Sequence, residues 1–188
     1  MKTLHHQFLT RDETVLVIVD IQEKLFVTMH ETARPKLLKN VPILIAAAHE
    51  LGLPILVTEQ YPKGIGPTIP ELKVMLDTEK IYEKVDFACT EVGDFVNDFK
   101  ALGRKRILLT GMESHICVYQ TALGFRALGY EVYPVVDALA TRDPMNHEVA
   151  IKLMERAGCI PLTTETALFQ LLERAGTDAF KKLQKLIK

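Results

Sequence analysis

RILLTGMESHICVYQTALGFRALG, residues Arg106 to Gly129, decides how the rest of this chain is organised. The apolar run Ile107-Leu108-Leu109, entered through the basic cluster Arg104-Lys105-Arg106, is too short for a helix and reads as a buried strand. Gly111 ends it. Ser114 stands where it can cap a helix running to about Leu128, which Gly129 stops. Cys117 then falls in the first helical turn, just past the C-terminal end of a strand. Unpaired backbone N–H groups and the positive end of the helix dipole favour a thiolate there, and the same N–H groups can hold an oxyanion. A strand, a tight turn and a helix with a nucleophile at its mouth have the mechanics of a nucleophile elbow. Against this stands the commoner fate of a free cysteine, that of a small buried apolar residue.

Upstream, Val15 to Val19 is a β-branched apolar run ending at Asp20, the pattern of a buried parallel strand. Ala33 to Leu51 carries Leu37, Val41, Leu44, Ala48 and Leu51 on one helical stripe, with Gly52 as its stop. Pro54 to Thr58 is a second strand. Glu59 to Pro70, EQYPKGIGPTIP, reads as a loop of a length uncommon in a compact domain unless it binds something. Lys80 to Lys84 is a weaker, partly charged strand, and Thr90 to Leu102 places Val92, Phe95, Val96, Phe99 and Leu102 at helical spacing.

Downstream, Glu131 to Val136 is a strand ending at Asp137. Asp143-Pro144 starts a helix with Met145, Val149, Leu153 and Ala157 on its stripe. Cys159 to Leu162 is a short last strand. Two helices follow, one from about Thr164 to Arg174 and one from about Asp178 with Phe180, Leu183 and Leu186 or Ile187 inward. Strands alternating with helices, without repeat or low-complexity segment, predict a single domain over 1–188. Its fold is a doubly wound three-layer α/β/α sandwich around a mainly parallel six-stranded sheet. Ligands in such sheets bind outside the carboxyl ends of the strands. Asp20, the Glu59 loop, Lys84 and the Cys117 turn each follow a strand, so they converge on one sheet edge.

At 188 residues and 48% hydrophobic content the chain suffices for one substantial core and is short for two. A formal net charge of −1 gives no reason to expect nucleic acid or an acidic membrane as partner. Met1 to Asp12 is polar, without a signal-peptide core, and no apolar run approaches the roughly 20 residues of a membrane span. Three widely spaced cysteines, Cys89, Cys117 and Cys159, argue against a disulfide framework or zinc cluster and for a reducing compartment. The expectation is a soluble intracellular, cytoplasmic domain.

Each chemical candidate has a plain alternative. Asp20 closes an otherwise apolar strand, where an aspartate also serves as a turn cap. Lys84 follows a strand, and most lysines are solvated charges. Together with Cys117 they supply an acid, a cation and a thiol at one edge. The aspartate can take the thiol proton, the lysine can hold the negative charge, and the thiolate can attack a carbonyl. Other chemistry is missing: there is no GxGxxG after the first strand, no GxxxxGK[ST] and no HExxH. His115 lies two residues before Cys117, and helical neighbours at that spacing do not face each other, so it reads as a residue of the pocket rim.

These pieces resemble the isochorismatase-like hydrolase superfamily. The matching motifs are VIVDIQEKL (Val17 to Leu25), VTEQYPKGIGPTIPEL (Val57 to Leu72), EKVDF (Glu83 to Phe87) and GMESHICVYQTALGFRALGYEVYPVVDA (Gly111 to Ala138). Within the superfamily the chain is most similar to the eukaryotic isochorismatase-domain-containing proteins, through TEQYPKGIGPT and the closing FKKLQKLIK. The resemblance implies a catalytic Asp20, Lys84 and Cys117, a cis peptide at Met112–Glu113, and an oxyanion hole from the Glu113 and Cys117 N–H groups. It also implies a homo-oligomer, a dimer or larger. Nicotinamidases of the superfamily bind a metal through an aspartate and histidines after the second strand. Thr58-Glu59-Gln60-Tyr61 has no imidazole, so neither a metal nor another cofactor is expected. Isochorismatases proper lack the cysteine, so Cys117 argues against isochorismate as substrate.

The expected function is a cofactor-independent cysteine hydrolase acting on an amide, carbamoyl or related C–N bond of a small molecule. Gln60, Tyr61 and His115 would line its pocket. The rival reading is a scaffold or interaction protein that keeps the fold and an idle site. A third, a thiol redox sensor pairing Cys117 with Cys89, lacks a CxxC.

Overall fold

In a computed structural model of the chain, residues 8–187 are described; the part of the polar Met1 to Asp12 stretch that covers 1–7 lies outside them. The elements run β1 (Thr14–Val19), α1 (Glu23–Phe26), α2 (Ala33–Leu51), β2 (Ile55–Gln60), α3 (Pro62–Ile65), α4 (Pro70–Lys73), β3 (Ile81–Lys84) and α5 (Gly93–Ala101). They continue with β4 (Arg106–Met112), α6 (Tyr119–Ala127), β5 (Glu131–Ala140), α7 (Pro144–Arg156), α8 (Thr164–Leu172) and α9 (Asp178–Leu183). The sheet order is β3-β2-β1-β4-β5, and every neighbouring pair is parallel. β1 sits at its centre with all six residues buried, as its unbroken β-branched run requires.

Successive residues of β1 face opposite layers. Leu16 and Ile18 pack with Leu37, Val41, Leu44 and Ile45 of α2 and with Ala167 and Leu171 of α8. Val15, Val17 and Val19 share the other core with Phe95 and Phe99 of α5, Val118, and Ala122 and Phe125 of α6. The connection direction reverses at β1, whose two neighbours are β2 and β4. The crevice beyond the ends of β1 and β4 is therefore the topological switch point, where parallel α/β sheets bind ligands.

β4 can reach that crevice because Gly111 lies against β1. Its φ is +131°, and a Cβ there would come within 2.0 Å of the Val19 carbonyl oxygen. Gly124 of α6 has a similar duty: a Cβ would meet Thr90 Oγ1 at 2.0 Å, so the missing side chain lets α6 lie on the 3₁₀ turn Cys89–Glu91.

Several expectations change. The sheet has five strands rather than six: Cys159 to Leu162 lies along β5 through three backbone hydrogen bonds but pairs with it as a single bridge, Val135 with Leu162, and forms no strand of its own. Pro161 has no N–H to continue a ladder. β5 does not end at Asp137 but runs to Ala140, with a register shift against β4 between Leu109 and Gly111. Glu59 and Gln60 belong to β2, and the segment after them is folded into α3 and α4 rather than open loop. The stripe expected inward on α7 faces out: Met145, Val149 and Leu153 are exposed, while Ala150 and Met154 enter the core. No helix among the described residues is long and apolar enough to cross a membrane.

Candidate active site

Three strand ends bring the candidate residues together. Asp20 follows β1 with φ +52°, a left-handed conformation open to aspartate, and its N–H donates to Thr58 O at 3.1 Å. Its side chain is fully buried. Oδ1 accepts from Thr58 Oγ1 at 2.7 Å, and Oδ2 lies 2.7 Å from the Lys84 ammonium. The Cys117 thiol lies close enough to the same carboxylate for the Asp20 charge to push it up. One aspartate thus meets the cation and neighbours the thiol, although the three residues come from three separate segments.

Lys84, the last residue of β3, is held from several directions. Nζ donates to Gln60 Oε1 at 2.6 Å, Phe87 O at 3.1 Å and Asp86 O at 3.2 Å, besides meeting Asp20. Gln60 Nε2 in turn donates to Val85 O at 2.7 Å. Buried Gln22 clasps the Gln60 backbone, accepting from its N–H at 2.7 Å and donating to its carbonyl at 2.9 Å. Gln60, expected as a pocket residue, therefore spends its amide on Lys84 and the following turn.

Cys117 stands in a single π turn, Ser114–Val118, that precedes α6. Glu113 O accepts from the N–H groups of Ile116 at 3.1 Å and Val118 at 3.2 Å, passing over the intervening Cys117 N–H. The Met112–Glu113 peptide is cis. Among the described residues no hydrogen bond engages the Glu113 N–H. Ser114 is not the helix cap: Glu113 holds that position, and Ser114 Oγ donates to Ala140 O at 3.1 Å and lies 2.9 Å from His147 Nδ1. A buried hydroxyl with two such partners in reach has no need of the helix end.

Electrostatics correct the expectation of a ready thiolate. Burial, and next the charge of Asp20, push the Cys117 thiol well up, with Lys84 only partly opposing them. Burial also holds the Asp20 carboxyl above its ordinary value, against the pull of Lys84, Thr58 and Cys117. Burial disfavours the charged form of Lys84, but Asp20 together with Cys89 and Cys117 outweighs it and holds the ammonium above its ordinary value. Asp20 and Lys84 therefore face each other at 2.7 Å beside a thiol held well above its ordinary value. Cys89, completely buried, lies underneath with Sγ 3.7 Å from Thr58 Oγ1, and burial pushes its thiol up to about 11.

Tyr61 is half exposed and lies with Pro62, Lys63, Glu83, Lys84 and Val85 around a surface cavity of about 380 Å³. His115 is half-buried, its Nδ1 3.0 Å from Thr141 Oγ1. Glu113 Oε2 accepts from Thr141 Oγ1 at 3.1 Å and from the Arg142 N–H at 3.2 Å and Nε at 3.1 Å. Thr58, Gln22, Thr141 and Arg142 escaped the sequence reading. Thr58 alone left a trace there, as the polar residue that ends an apolar strand. Among the described residues no three histidine, cysteine, aspartate or glutamate side chains are grouped so as to hold a metal ion.

With this geometry in view, the relatives are informative. Residues 14–166 match the isochorismatase domain family. Isochorismatase domain-containing protein 2 of Xenopus laevis is 35% identical over 176 residues, 93% of this chain and 83% of that protein. Isochorismatase family protein 1A of Dictyostelium discoideum is 34% identical over 181 residues, covering 93% and 86%. Among solved structures, the MAR1 ribonuclease of Caenorhabditis elegans superposes with a TM-score of 0.89 at 34% identity, over 96% of this chain and 92% of that one. The Escherichia coli YcaC gene product, described as an octameric hydrolase of unknown specificity, shares the fold with a TM-score of 0.89 at 24% identity, covering 95% and 90%. The chain belongs to the isochorismatase domain family, within the isochorismatase-like hydrolases.

Proposed function

We propose that this protein is a cofactor-independent cysteine hydrolase that cleaves an amide or carbamoyl C–N bond of a small molecule. The observation that carries the reading is the single buried carboxylate of Asp20, paired with the Lys84 ammonium at 2.7 Å and neighbouring the Cys117 thiol. Cys117 Sγ attacks the carbonyl carbon while its proton passes to Asp20. The Glu113 and Cys117 N–H groups receive the oxyanion. As the C–N bond breaks, Asp20 returns that proton to the departing amine, leaving a thioester on Cys117. Asp20 then takes a proton from water, whose oxygen attacks the thioester, and passes that proton to the departing Cys117 sulfur, so that the acid is released and the thiol and the Asp20 carboxylate are restored. Lys84 keeps its charge throughout and limits the energy of each anionic state. Tyr61 and His115 line the entrance.

The rest of the reading is one domain, a small-molecule substrate, no nucleic-acid or membrane partner, and a homo-oligomer. The free buried thiols fit a reducing, cytoplasmic setting. An idle scaffold with the same fold is the alternative, and the buried ion pair speaks against it, since a charged pair in a core adds little stability that apolar residues would not supply.

The test is a hydrolysis screen over small amides and carbamoyl compounds, wild type beside Cys117→Ala, with intact-mass detection of an acyl adduct. Turnover and an adduct that both vanish in Cys117→Ala are expected. An RNA arm belongs in the same screen, because the C. elegans relative bears the name of a ribonuclease. RNA cleavage without any amide turnover would displace the amide reading, and no turnover in any arm would favour the scaffold.

A further inference from the structure

Cys89 takes no part in the steps above, yet its surroundings connect it with all three residues that do. Lys84 Nζ donates to the carbonyls of Asp86 and Phe87, which lead into the 3₁₀ turn Cys89–Glu91. The Cys89 N–H donates at 3.0 Å to Oγ1 of Thr121, on the helix α6 that Cys117 leads into. The Cys89 thiol lies 3.7 Å from Thr58 Oγ1, which in turn lies 2.7 Å from Asp20 Oδ1. Asp20, Thr58 and Cys89 are all fully buried.

Counting protons gives this chain of contacts a direction. Thr58 has one hydroxyl proton and two lone pairs. An ionised Asp20 only accepts, so the hydroxyl proton goes to Oδ1, and what Thr58 offers Cys89 is a lone pair. Cys89 is then the donor. Burial pushes its thiol up to about 11, so the S–H is kept throughout the neutral range. A cysteine that merely fills space, the commoner case, needs no such partner.

We propose that Thr58 and Cys89 are positioning residues for Asp20. The Cys89 S–H occupies the Thr58 lone pair and turns the Thr58 proton onto Oδ1, which favours the charged, proton-accepting carboxylate with Oδ2 toward Lys84. This assignment rests on Asp20 as the base of the reaction proposed above. A hydrogen bond donated to a carboxylate stabilises its ionised form and so opposes the burial that raises Asp20. The other titratable groups around Asp20 are Lys84 from β3 and Cys117 from the π turn, with Cys89 behind Thr58. Lys84 and Cys117 hold charge or react; Thr58 and Cys89 set how firmly the base keeps its charge.

The test is a pH titration of the Asp20 carboxyl by NMR, in full-length protein labelled at its aspartate carboxyl carbons. The signal is identified by its loss in Asp20→Asn, and no substrate is needed. Thr58→Val keeps the shape and removes the donor, so the midpoint should rise by about one pH unit or more. Thr58→Ser keeps the donor, loses only a methyl group and should titrate like wild type. Cys89→Ala should raise the midpoint by about 0.3 unit, and Cys89→Ser, again a donor, should bring it back. Packing alone would give the reverse order, with Thr58→Ser disturbed and Thr58→Val near wild type. That order, or a Thr58→Val midpoint equal to that of wild type, would overturn the proposal. If Thr58→Val does not fold, the Cys89 variants decide: equal midpoints in wild type, Cys89→Ala and Cys89→Ser would overturn it too. With a hydrolysed amide in hand, the acid limb of kcat/KM should move by the same steps. A failed hydrolysis screen would strike the proposed function and leave these midpoints as they are, so the two failures are told apart.

Discussion

The charge state of the buried cluster sets two measurable properties. Asp20 must be ionised to take the proton of Cys117, and burial holds its carboxyl above the usual carboxylate value of about 3.9. The acid limb of kcat/KM should therefore lie above that value, with activity lost as pH falls through it. Lys84 is held above its own ordinary value, so its loss of charge should not cut activity until beyond about pH 10.4. An acid limb at or below the ordinary carboxylate range would contradict Asp20 as the base. Stability gives a second measurement. Lys84→Met leaves the Asp20 carboxylate buried without its cation, which should cost about 3–5 kcal/mol at pH 7 in denaturant unfolding. A buried carboxyl of raised pKa binds a proton more readily in the folded state, so the native state gains relative stability as pH falls. The deficit of Lys84→Met should accordingly shrink at mildly acid pH. A deficit independent of pH would mean that Asp20 is not the group left buried without a partner.

At the level of the elements, the cysteine-bearing turn depends on how closely β4 passes β1. Gly111→Ala should destabilise the protein by more than about 1 kcal/mol, since both the positive φ and the space are lost. Gly103→Ala, also at positive φ but with nothing near its missing side chain, should cost less. Equal losses would show that backbone conformation alone matters. Much at this scale was legible in the sequence. The run Val15 to Val19, the stripe and glycine stop of α2, and the Asp143-Pro144 start of α7 all emerged with their boundaries close to those observed. What escaped depended on long-range partners. Ser114 had the chemistry of a cap, but Ala140 and His147, brought in by β5 and α7, claimed its hydroxyl. The α7 stripe had the right period and the wrong face, because periodicity does not say which of two apolar faces meets the core.

Over the whole molecule, the placement of the site followed from one topological rule: a parallel sheet binds beyond its strand ends, and Asp20, Lys84 and Cys117 each end or follow a strand. That rule placed the residues on one edge and could not supply their contacts. Gln60 illustrates the gap. From its neighbours it is a polar residue at the end of a strand, and only the neighbouring strand β3 reveals that its amide belongs to Lys84. Cys117 was misread electrostatically for the same reason. The helix end favours a thiolate, but the burial and the adjacent carboxylate that override it come from elsewhere in the fold.

The strand order also governs how the chain fares while it is being made. β1 and β2 emerge early and can pair, but the other edge of β1 waits for β4, whose residues follow nearly half the chain later. Until then the central strand exposes Val15 to Val19 along an open, apolar, unpaired edge, a template for other chains. Fragments ending before Arg106 should therefore aggregate, while those extending through Ala140 close that edge and should remain dispersed. A ribosome stalled between Lys84 and Arg106 would hold a chain that has acquired its aspartate and lysine but not the Cys117 thiol, and whose hazard is greatest just before the strand that both seals the sheet and leads into that cysteine.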